Sequence, residues 1–163
     1  MGLKGVSTKN KWRLWLLVAM TFVAFAAASL FALHLLGNVA TAVSAFAGQG
    51  ASAVPAILSY AVVRTSLSEE LLFRGFLLKR LVGKFGFTIG NITQSFLFGL
   101  IHGIAFFRAA GPQAAAVLVI LTASIGYVMG YINERKAGGS ILPSWCIHAA
   151  ANVLAGLLRA LYA

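Results

Sequence analysis

The chain has 163 residues, of which 60% are hydrophobic and only 10% charged, with a formal net charge of +10 and a mean hydropathy of +0.90. Soluble domains carry about 25% charged residues, so a water-soluble globule is excluded and a membrane protein is expected. The thirteen Lys and Arg lie beside long apolar runs and form no basic stripe interleaved with aromatic residues, which argues against nucleic acid as a partner.

Cys146 is the only cysteine. It permits no internal disulfide and is expected as a small buried helix residue. Asp is absent, and the acidic inventory is Glu69, Glu70 and Glu134.

A spanning helix needs about 20 apolar residues, and Leu14 to Leu36 supplies such a run behind Lys4, Lys9, Lys11 and Arg13. The pattern resembles a signal peptide. Its apolar part continues past AFAAAS, so an uncleaved anchor is expected, with His34 near its far end structural or solvated. Residues 37 to 52 are small and weakly polar, which predicts a connection or a frayed helix end.

The second helical pattern runs from about Val54 to Leu81, broken only by Arg64, Glu69, Glu70 and Arg74. Pro55 sits in its first turn, where a missing N–H is harmless. After a KFGFTIGN turn, a third apolar segment begins near Ile92 and runs to about Phe107. A RAAGPQ turn leads to the fourth, about Ala114 to Ile132. The polar stretch NERKAGGS connects it to the fifth, about Ile141 to Leu158.

An N-terminus inside places Lys4, Lys9, Lys11, Arg13, Lys79, Arg80, Lys84, Arg135 and Lys136 on inner segments, against Arg108 and Arg159 outside. Positive charge favours the inner side, so the N-terminus is expected to be cytoplasmic. The expected fold is an all-α polytopic transmembrane bundle of about five spanning helices. It forms one membrane-embedded domain over residues 1–163, in a cell (inner) membrane.

Ionisable groups inside spanning segments cost about 2.5 to 3.5 kcal/mol each on insertion scales, so they face cavities or one another. Glu70 and Arg74 are four apart with the acid first, the favourable order for a helical ion pair. Glu69 is rotated about 100° from Glu70, so it points elsewhere and is left free to work. His102 lies in SFLFGLIHGIAFF, with Phe98 one turn before it and Gly99 and Gly103 flanking it at a spacing that lets another helix approach. His148 and Asn152 share a face of the fifth helix. Depth is consistent with convergence: at ~1.5 Å per residue, Glu69 and His102 lie about 15 Å and His148 about 10 Å from one boundary.

A free Glu, two His and an Asn in a low-dielectric pocket suit water-mediated amide hydrolysis. Glu69 serves as general base with His102, and His148 and Asn152 stabilise the oxyanion. An aspartyl mechanism has no Asp to use, the HExxH zinc motif is absent, and there is no GxSG serine turn. Ser140 is explained by loop composition, and Cys146 and His148, two apart, do not face each other. The mechanistic competitor is zinc held by one Glu and two His.

EELLFR (Glu69 to Arg74), FGLIH (Phe98 to His102) and HAAAN (His148 to Asn152) together resemble the EExxxR, FxxxH and HxxxN motifs of the CPBP family. These are membrane proteins related to CAAX prenyl proteases and to bacteriocin-processing or immunity proteins. The resemblance covers about residues 65–155. It implies a glutamate-dependent intramembrane endopeptidase needing neither metal nor other cofactor: Glu69 activates water with His102, His148 and Asn152 form the oxyanion site, and Glu70, Arg74 and Phe98 support them. Five helices is short for the group, which leaves substrate class open. The composition looks bacterial, with a membrane-associated protein or peptide as substrate. Outside enzymes, the alternative is a bacteriocin-immunity or peptide-binding membrane protein.

Overall fold

The computed structural model describes residues 2–36, 39–41 and 43–162. Among them the chain is all helical, with no strand, and three helical stretches are long and apolar enough to cross a membrane: Lys11–Leu36, Gly50–Lys136 and Leu142–Tyr162.

The 87-residue middle stretch is not one rod. Gly86 (φ 77°) and Gly111 (φ 82°) leave the helical region, at dihedrals that only glycine adopts cheaply. Pro112 follows the second break directly. Five helical rods result: α1 (Lys11–Leu36), α2 (residues 50–85), α3 (residues 87–110), α4 (residues 112–136) and α5 (Leu142–Tyr162). Each expected turn therefore shrinks to little more than one glycine, and α2 and α3 run longer than their apolar composition indicated. The polar NERKA stretch also proves helical through Lys136. Arg135 and Lys136 there are exposed, while Asn133 is buried.

Two antiparallel hairpins follow from those glycines. Phe73 of α2 meets Phe98 of α3, ring centroids 4.9 Å apart. In α3, Asn91 and Gln94 donate to the Tyr127 and Gly126 carbonyls of α4 at 2.9 and 3.2 Å. Gly99 and Gly103 lie against Val119, Ala123 and Ala115 of α4 so closely that a Cβ at either would overlap them. The small-residue spacing thus sets the α3–α4 distance.

The core joins α1, α4 and α5 through Leu14, Val18, Met129, Ile132 and Ile147. A second cluster of Phe46, Ala53, Ile57 and Ala160 clamps residues 43–53 onto α5, so the described part of the 37–52 stretch is packed structure as well as connection. Asn38, within that stretch, lies outside the described residues. Large apolar side chains elsewhere face outward, among them Trp12, Met20, Phe31, Phe96, Ile101 and Ile120, as lipid-facing surfaces do. Cys146 corrects an expectation: it is exposed, because the buried face of α5 is taken by Ser144, Ile147, His148 and Ala151. His34 is exposed.

Candidate active site

Glu69 and Glu70 lie in a short α-helical step, Ser68–Glu70, between two stretches of wider π-type turns, Ser59–Leu67 and Leu71–Leu77. Hydroxyl side chains explain part of this distortion. Thr65 Oγ1 donates to the Tyr60 and Ala61 carbonyls, both at 3.2 Å, and Ser68 Oγ donates to those of Arg64 and Thr65 at 2.6 and 2.9 Å. Such bonds compete with the helix's own ladder, and π-type turns recur at functional positions.

The two glutamates diverge as their rotation requires. Glu70 is fully buried and accepts a hydrogen bond from Arg74 Nη1 at 3.0 Å. The guanidinium carbon lies 4.2 Å from the centroid of Phe98, a cation–π contact strengthened by burial. A buried ion pair costs desolvation, which the aromatic face partly offsets.

Glu70 has a second partner that its helical spacing does not reveal. His148 Nδ1 lies 3.1 Å from the same Oε1. Since a carboxylate can only accept, Nδ1–H donates and the ring is fixed in direction. Near Glu70, Asn133 and Ser144 form a buried lock: Asn133 Nδ2 donates to Ser144 Oγ at 2.7 Å and Asn133 Oδ1 accepts from Ser144 N at 3.3 Å. The lock ties the end of α4 to the start of α5, which carries His148.

Glu69 faces the other way, toward both imidazoles. Its Oε2 lies 4.0 Å from His102 Nε2 and 3.9 Å from His148 Nε2. That oxygen is buried and has no hydrogen-bond partner among the described residues. His102 is oriented as His148 is: its Nδ1 lies 2.8 Å from the Phe98 carbonyl, which can only accept, so its Nε2 is left with a lone pair in the neutral ring. Phe98 also packs against His102 in a tilted arrangement, with 4.5 Å between ring centroids. Both imidazoles therefore turn Nε2 toward one carboxylate oxygen, across gaps too long for a direct hydrogen bond and of a width that a shared water bridges.

A cavity of about 140 Å³ opens on this point, lined by Glu69, His102, His148 and Asn152 together with Tyr60 and Thr65. All four residues singled out from the sequence thus border one space. Val43 and Phe46 line it too, and nothing in their small, weakly polar neighbourhood signals that. Asn152 is already engaged: its Nδ2 donates to Thr65 Oγ1 and Ser66 Oγ, both at 3.1 Å. Among the described residues, no group of three His, Cys, Asp or Glu side chains is close enough to hold a metal ion; Glu69 stands 4.0 and 3.9 Å from the two histidine nitrogens.

The family model described as Type II CAAX prenyl endopeptidase Rce1-like matches residues 50–154. The chain belongs to this family. The match spans α2, α3, α4 and the part of α5 that bears His148 and Asn152, well over half the chain. Comparison with curated proteins gives no match, and neither does comparison with solved structures. Membership makes the chain a membrane protein of a peptidase family, and its apolar helices fit a membrane-embedded peptide substrate. The Rce1-like match does not reach α1, whose residues Leu14 and Val18 nonetheless complete the core.

Proposed function

We propose that the protein is a glutamate-dependent intramembrane endopeptidase, hydrolysing a peptide bond of a membrane-associated protein or peptide without a metal. The observation that carries this reading is the unpartnered Glu69 Oε2 facing two Nε2 atoms at 3.9 and 4.0 Å. Glu69 takes a proton from a water that His102 Nε2 also holds, and the resulting hydroxide attacks the scissile carbonyl. His148, held by Glu70, presents Nε2–H to the oxyanion in its protonated form. Asn152 turns one N–H from Thr65 or Ser66 to the same oxygen. The proton on Glu69 then passes to the leaving amine, which restores the carboxylate. Glu70, Arg74 and Phe98 position these groups.

In this reading the five rods are five membrane crossings of one catalytic unit, with the N-terminus on the cytoplasmic side of a cell membrane. The nine-to-two distribution of basic residues supports that orientation. A zinc enzyme using Glu69, His102 and His148 is the second reading, favoured by the convergence of two imidazole lone pairs on one carboxylate. It requires all three to move inward, since ligand atoms around zinc at about 2.0–2.2 Å sit closer together than these do.

The test is Glu69→Gln in purified, lipid-reconstituted protein. Removing a general base costs typically 10²–10⁴-fold, so cleavage of an apolar peptide pool should fall at least about 100-fold with the thermal midpoint unchanged. Retained cleavage removes Glu69 from the mechanism. Activity lost on chelation and restored by zinc favours the second reading.

A further inference from the structure

Arg159 is a polar group that the proposed hydrolysis does not use. It sits in the last turn of α5, and its Nε is buried with no acceptor among the described residues. The chain supplies no carboxylate side chain for it: Glu70 pairs with Arg74, Glu134 with Lys79, and Glu69 faces the histidines. A cavity of about 190 Å³ lies on Arg159, with the hydroxyl-bearing Thr41, Ser44 and Tyr162 in its wall.

That cavity neighbours a groove that opens on the site. This apolar groove of similar size, about 190 Å³, borders His102, His148 and Asn152 at one end and reaches Leu33, Thr41 and Ala155 at the other. Leu33, Thr41 and Ala155 also line the Arg159 cavity. The groove and the cavity therefore adjoin along α5, with apolar walls between the imidazoles at one end and the guanidinium at the other.

We propose that Arg159 is a specificity residue that binds a carboxylate of the substrate at the far end of this groove. This rests on the hydrolase reading for its substrate class. The seven residues from Asn152 to Arg159 rise about 10 Å, which an extended peptide at ~3.3–3.6 Å per residue covers in about three residues. The carboxylate belongs at that distance from the cleaved bond, on an acidic side chain or at a chain end. Hydroxyls at 41, 44 and 162 complement the guanidinium fork, whose geometry suits a carboxylate. A merely structural arginine, capping the α5 terminus electrostatically or resting its stem on apolar surface, is indifferent to the charge of a bound peptide.

Peptide binding to the Glu69→Gln protein reads this subsite without cleavage. The probes are Leu/Ala peptides about twelve residues long carrying a neutral dansyl label, with both ends blocked and a central Glu, Gln or Lys, and a further dansyl-labelled Leu/Ala peptide with a free C-terminal carboxylate. The protein carries a neutral C-terminal tag, which keeps its own terminal carboxylate away from Arg159. A charge-assisted hydrogen bond predicts at least about tenfold tighter binding of a carboxylate peptide than of the Gln peptide. A gain for the Glu peptide alone assigns the group to a side chain, and a gain for the free terminus alone assigns it to a chain end.

Arg159→Gln should abolish the discrimination, and Arg159→Glu should turn it in favour of the Lys peptide. Equal binding of all four peptides overturns the proposal, as does discrimination that survives Arg159→Gln. Cleavage by the unsubstituted protein is scored separately. Intact charge discrimination without any cleavage contradicts the hydrolase reading and leaves the carboxylate subsite standing.

Discussion

Glu70 holds two neighbours at once, and that double contact decides how the residues around it respond to change. Arg74 and His148 both donate to its Oε1, inside a region where Glu70 and Arg74 have no solvent exposure. Removing one member of a buried pair typically costs about 3–5 kcal/mol, because the other charge is left uncompensated. Arg74→Ala should therefore lower the thermal midpoint sharply, whereas the double variant Arg74→Ala/Glu70→Gln should be less destabilised than the two single losses added together. Circular-dichroism melts of the four proteins in detergent give that coupling; strict additivity would mean that the pair does not act as a unit. At this scale the i, i+4 spacing made the Glu70–Arg74 pair legible, as the 100° step did the divergence of Glu69. The Glu70–His148 bond was not legible, because it joins residues 78 apart and no pattern in one helix encodes its partner in another. The Asn133–Ser144 lock was missed for the same reason.

Helices meet here through small residues, and the α3–α4 contact shows how much depends on them. A Cβ on Gly99 would come 2.5 Å from the Val119 carbonyl oxygen, a backbone atom that no rotamer change can move. Gly99→Val should force the hairpin apart, and overpacking of this kind costs about 1–3 kcal/mol. The same displacement carries His102, one turn along α3, away from Glu69. Cleavage by Gly99→Val should thus fall together with the thermal midpoint, whereas Gly83→Ala, at a position with open space around it, should leave both within error. Normal cleavage by the valine variant would separate the α3–α4 spacing from the site. Small-xxx-small spacing announced this contact in the sequence, as apolar run length announced the existence of each helix. Helix ends were harder to place, because one glycine at positive φ reverses the chain where polar residues had indicated a longer turn. The buried-or-exposed assignment of Cys146 failed similarly: apolar character inside a membrane helix does not distinguish a core face from a lipid face.

Taken whole, the molecule places its polar chemistry between rods whose outer surfaces are apolar. Near the α4–α5 corner, the N-terminal segment is bound to the connection that precedes α5: Ile141 N donates to the Gly2 carbonyl at 3.0 Å, and Ser140 Oγ donates to that of Lys4 at 2.7 Å. Lys79 of α2 joins the same corner through Glu134 and the Gly139 carbonyl. These ties hold the start of α5, and so His148, against α2 and its two glutamates. Motif order along the chain suggested convergence, since three helices each carried one unexplained polar group at similar depth. It gave no hint that residues 43–46 close the cavity from the side, because that stretch has neither strong polarity nor periodicity. The most direct test of the account is an experimental structure of the whole protein in lipid, collected at a wavelength sensitive to zinc. An ordered water is expected within about 2.6–3.2 Å of Glu69 Oε2 and both Nε2 atoms, without anomalous signal. A metal ion at that position, or a Glu69 carboxylate turned out toward lipid, would contradict it.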